Sequence, residues 1–69
     1  MNVQDIILRL KRAEYKYTEA RKIKEEIRQL PRVERSSVRT DLTREKQKSD
    51  NNDIIDVIND IINDIDRNN

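Results

Sequence analysis

Over the first thirty residues the apolar side chains Val3, Ile6, Leu10, Ala13, Tyr17, Ala20, Ile23, Ile27 and Leu30 recur in steps of three and four. That spacing places them along one face of a helix and suits no other regular structure. The steps average near 3.5 residues, the period of a seam that winds left-handedly around a partner helix. Two steps of three in a row at Ala20–Ile23 break the alternation like a stammer and should overwind the pair locally. Asn2 suits the N-cap, and Asp5 meets the free N–H groups and positive dipole of the first turn. Pro31 disfavours helical geometry at Leu30, so the spacing predicts one long helix over residues 2–30.

A second stripe lies near the other end. At about 100° per residue, Ile54, Ile55, Val57, Ile58, Ile61, Ile62 and Ile65 share a broad face, and Asp50, Asp53, Asp56, Asp60 and Asp64 form a separate ridge. The near-repeat of Ile58-Asn59-Asp60-Ile61 in Ile62-Asn63-Asp64-Ile65 is the local form of that pattern. A helix over residues 50–66 is predicted, entered through Ser49 or Asp50 as N-cap. Isoleucine, asparagine and aspartate are indifferent helix formers, so its order must come from packing. Between the stripes, Val33, Val38 and Leu42 are the apolar residues of a polar stretch. Residues 31–48 read either as a solvated connector or as a carrier of a short helix around Ser37–Lys48.

Sixty-nine residues make at most one domain, a length at which a single core is marginal. With no cysteine and no histidine, disulfides are excluded and a structural zinc site nearly so. Absence of glycine and a 42% share of charged residues argue against a sheet and for long exposed helices. Residues 1–30 carry eight Lys/Arg against five Asp/Glu, residues 31–48 six against three, and residues 49–69 one against six. The net charge of +1 thus hides a dipolar chain whose ends attract, which favours a helical hairpin within one chain or pairing between chains. No apolar run is long enough for a membrane span, and no signal-peptide layout opens the chain, so a cytoplasmic location is expected.

Most chemistries find no residues to carry them. Ser36, Ser37 and Ser49 have no histidine to act as base, and no glycine is available for a phosphate-cradling loop. Asp50-Asn51-Asn52-Asp53 has the acidity of a calcium loop without its glycine or closing glutamate, and a solvated helix start explains it better. The aspartate ridge is better suited to docking Lys and Arg of the first helix than to holding a divalent ion. No catalytic residue, cofactor or metal is expected.

Residues 1–48 are basic enough to consider nucleic acid. Arg9, Arg12 and Lys16 form a ridge at helical spacing, and Arg35 and Arg39 are the counterparts beyond Pro31. Glu14, Glu19, Glu25 and Glu26 interleave with the helical charges, and no recognition helix is visible, so a solvated surface is the favoured explanation. A membrane surface is disfavoured by the absence of Trp and Phe. Leu8 and Tyr15, seven residues apart, lie off the main stripe, where they could touch an outside partner or stand as ordinary exposed residues.

A long amphipathic first helix, then Val33-Glu34-Arg35-Ser36-Ser37, then a short Ile/Asp-rich helix ending Asp64-Ile65-Asp66-Arg67, resembles the N-terminal helical segment of ArpU-type, sigma-like regulators of phages and prophages. The resemblance implies an assembly region of a phage transcription regulator. The family's C-terminal helix-turn-helix has no counterpart here, so promoter recognition does not carry over. A fragment, or a stand-alone small phage-type protein that binds another protein, both fit.

Together these readings predict an all-α fold, one long and one short helix forming a hairpin or coiled coil in an oligomer, with a short third helix between them as the variant. Ile6, Leu10, Tyr17, Ile23, Ile27 and Leu30 should face Ile54, Ile58, Ile61 and Ile65. The expected function is a non-enzymatic, self-associating regulatory or adaptor module. A nucleic-acid-binding accessory factor and a small protein inhibitor of an enzyme are the alternatives, and dimer, trimer and tetramer all suit the pattern.

Overall fold

A straight helix over residues 2–30 would run about 43 Å, whereas the longest dimension of the molecule is 28 Å. The computed structural model, which describes residues 1–68, resolves the mismatch by breaking the first helix in two. Helix α1 spans Val3–Arg12 and α2 spans Lys16–Arg28; α3 (Arg32–Lys48) and α4 (Asn52–Arg67) complete the chain. The all-α class stands, and no strand is present among the described residues. Among the described residues the helices number four rather than two or three, and the expected long helix is corrected to a pair joined at Ala13-Glu14-Tyr15.

The break follows from matching lengths. Helix α4 supplies the widest apolar face but covers only about 24 Å, so a straight first helix would leave nearly half its stripe in water. Folding α1 back lets it pack on α2, α3 and α4. The hinge needs no unusual backbone: Ala13 (φ −70°, ψ 134°) and Tyr15 (φ −120°, ψ 98°) are in ordinary extended conformations. Helix α1 buries Val3, Ile6, Ile7 and Leu10. These positions are i, i+3, i+4 and i+7, the broad stripe of a globular helix rather than a coiled-coil seam.

Caps mark the helix ends. Asn2 Oδ1 accepts from Gln4 N–H at 2.8 Å, as its position predicts. At α4 the cap is Asn51, whose Oδ1 accepts from Asp53 N–H at 3.0 Å and Ile54 N–H at 3.3 Å. Ser49 and Asp50 are not the cap; Ser49 Oγ accepts from Asn51 N–H in the two residues leading into it. Pro31 precedes α3, where its fixed φ and missing N–H cost nothing.

Residues 31–48 are the larger correction, because α3 is 17 residues long instead of a connector or a short helix. It buries only Val38 and Leu42. Its register is fixed by polar contacts to its neighbours: Arg39 to Asp66, Lys46 Nζ to Asn59 Oδ1 at 3.1 Å, and Gln4 Nε2 to Glu45 Oε1 at 2.8 Å.

One core joins all four helices. It comprises the four α1 residues, Ala20, Ile23 and Ile27 of α2, Val38 and Leu42, and Ile54, Val57, Ile58, Ile61, Ile62 and Ile65 of α4, with Leu30 half-buried at its edge. Aliphatic burial on this scale, at about 1.5–3 kcal/mol per large side chain, is what holds α4 helical. The radius of gyration is 10.9 Å, close to the ~11 Å expected for a self-contained domain of this length. Among the described residues no helix is long and apolar enough to cross a membrane.

Candidate functional site

The charged surface sorts into residues tied to the fold and residues left free. Asp60 and Asp64 of the aspartate ridge dock cations of α2, and Asp66 beside it docks one of α3. Lys24 pairs with Asp60, Arg28 holds Asp64 through two hydrogen bonds of 2.6 and 3.2 Å, and Arg39 holds Asp66 at 2.6 and 3.1 Å. Asp64 is buried beneath Arg28. The Asp66 carboxyl is pushed below its ordinary value by the hydrogen bonds from Arg39.

Arg9 is spent in the same way. Its Nε donates to Glu19 at 2.9 Å and its two terminal nitrogens to Glu26 at 2.9 and 2.7 Å, pinning α1 to α2. Those bonds raise the Arg9 guanidinium further above its ordinary value and lower the Glu26 carboxyl. The sequence-predicted basic ridge is therefore not one row on a continuous helix. Arg9 is ion-paired, Arg12 ends α1, and Lys16 begins α2 beyond the hinge. Arg39 is paired as described. Arg35 donates to the Asn68 carbonyl at 3.4 Å, and its Nε is buried with no partner among the described residues.

Of the expected packing residues, Ile6, Leu10, Ile23, Ile27, Ile54, Ile58, Ile61 and Ile65 lie in the core. Tyr17 does not: it is 58% exposed in the first turn of α2. The hinge moves it off the stripe by breaking the helix two residues earlier. Leu8 is 45% exposed and Tyr15 is 70% exposed.

The two tyrosines, the only aromatic residues in the chain, line one open groove of about 540 Å³. The segment Glu14–Thr18, running from the hinge into the first turn of α2, forms one wall, and Asp53, Asp56 and Val57 of α4 form the other. Glu14, Asp53 and Asp56 make no ion pair among the described residues, so with Lys16 the groove carries a net charge of about −2 at neutral pH. Tyrosine faces beside free carboxylates suit Lys or Arg side chains, whose charge meets the ring quadrupole and the acids together. A slightly larger depression of about 570 Å³ lies between α1 and the α3–α4 turn, but Lys11 and Lys48 there oppose Glu45 and Asp50 and leave no sign of charge to select a ligand.

Sequence reasoning singled out Tyr15 but missed the groove, because the acids that complete it are some forty residues away and the hinge has no Pro or Gly to announce it. Ile7 was missed as a core residue, although Val3, Ile6, Ile7 and Leu10 carry the four-position pattern of a globular helix. No three Asp or Glu side chains come together in a way that could hold a metal ion among the described residues. Compared with protein-family models, with curated proteins and with solved structures, the chain matches none.

Proposed function

We propose that this protein is a non-enzymatic interaction module, a small adaptor that holds a cationic segment of a partner protein in the Tyr15–Tyr17 groove. One observation carries the reading. A 69-residue chain with two aromatic side chains leaves both in water, on the same groove, next to three free carboxylates. Tyrosine is enriched where binding energy concentrates at protein interfaces, and folding alone would favour burying it. The likeness to the assembly segment of sigma-like phage regulators supports the same reading, since an assembly segment works through contacts with protein. Nucleic-acid binding finds less support, because Arg9 and Arg39 are engaged by Glu19, Glu26 and Asp66.

The test is affinity capture from host extract with the wild-type chain and with Tyr15→Ala/Tyr17→Ala and Asp53→Asn/Asp56→Asn. Both double variants should fold normally, and both should lose the same captured protein, with capture weakening as salt rises. A partner retained by both variants would refute the groove as its site.

A further inference from the structure

Nine residues of the first stripe were aligned by spacing, and all but those beside the hinge and at its far end are buried. Val3, Ile6 and Leu10 are covered on one side of the break and Ala20, Ile23 and Ile27 on the other, while Ala13 is half-buried and Tyr17 exposed. The segment that interrupts the helix has no residue that forbids helix: Ala13-Glu14-Tyr15 lacks Pro and Gly, has no positive φ, and begins with two good helix formers. The stripe therefore encodes a continuous helix that the closed chain bends.

We propose that two copies of this chain exchange α1 by straightening residues 13–15 into helix, each α1 completing the core of the other copy. Every contact that holds α1 in the closed chain is available in the exchanged one. The four aliphatic side chains, the Arg9 pairs to Glu19 and Glu26 and the Gln4–Glu45 hydrogen bond are remade between chains. The two states then differ in the hinge and in the cost of association, which is why exchange of an identical element is a low-cost route to a dimer. In two antiparallel straightened helices related by a twofold axis at Tyr15, Ala13 of one copy lies opposite Tyr17 of the other. Small faces large at the seam positions the closed chain leaves uncovered. Short hinges between packed elements favour such exchange.

The chain has no cysteine, so single substitutions give a direct readout. Gln4→Cys and Glu45→Cys, whose parent side chains touch at 2.8 Å in the closed chain, are prepared separately, mixed at millimolar concentration, equilibrated and treated with a short bis-maleimide. Exchange predicts a covalent dimer from the mixture in clear excess over either variant alone. Glu14→Pro, which follows Ala13 in the extended geometry that proline prefers, should abolish it, and Glu14→Gly should lower it several-fold while circular dichroism shows both still folded. No excess of crosslinked dimer in the mixture overturns the proposal. An excess undiminished by both hinge variants overturns it equally, because the dimer would then not pass through a straightened hinge.

Discussion

Substitutions at Tyr17 and at Ile61 should give opposite results, although both positions carry apolar side chains on helices. Ile61 is fully buried where α4 meets the core, so Ile61→Ala should cost about 2–5 kcal/mol. Tyr17→Ala should shift stability by less than about 0.5 kcal/mol; urea unfolding followed by circular dichroism checks both. Acid should weaken the molecule through Glu26 and Asp66, whose carboxyls lie below their ordinary values in the folded chain. A group depressed on folding is protonated more readily when unfolded. Its contribution is therefore present above the ordinary carboxylate range and is lost as pH falls through the depressed values, below about pH 4. Thermal melting from pH 7 to pH 2 should show that loss, and Glu26→Gln/Asp66→Asn should begin less stable and fall less. At this scale the aliphatic core residues other than Ile7 were readable from spacing alone. Tyr17 was not, since its exposure depends on a break two residues away that its own spacing does not register.

Helix ends were legible in the sequence where a side chain announces them. Asn2 and Pro31 did so, and Asn51 was missed by one residue because Ser49, Asp50 and Asn51 are all acceptable caps. Asn51→Ala should therefore destabilise α4 by about 0.5–2 kcal/mol, whereas Asp50→Ala should be nearly neutral, as measured by thermal unfolding. Helix α3 was legible only in part because its helicity comes from outside its own stripe. Two buried residues would not hold it, and Arg39–Asp66, Lys46–Asn59 and Gln4–Glu45 join it to α4 and α1. Those pairs span long sequence separations that periodicity does not see. The α1–α2 hinge was hidden for a related reason: its cause is the short reach of α4, a property of another element.

For the molecule as a whole, the two apolar stripes meet within one chain through a fold-back that a hairpin of two helices does not contain. The same hinge forms one wall of the tyrosine groove, so straightening it removes the groove. Occupation of the groove and exchange of α1 are then linked, and by reciprocity a ligand of the groove shifts copies toward the closed form by the factor by which exchange weakens its binding. All of this depends on the helix being interrupted at residues 13–15 in the isolated chain, with Ala13 and Tyr15 extended. The most direct measurement is the backbone carbon chemical shifts of Ala13, Glu14 and Tyr15 at micromolar concentration. Extended values at Ala13 and Tyr15, between helical stretches at Val3–Arg12 and Lys16–Arg28, are predicted; unbroken helical shifts from Val3 to Arg28 would contradict the account.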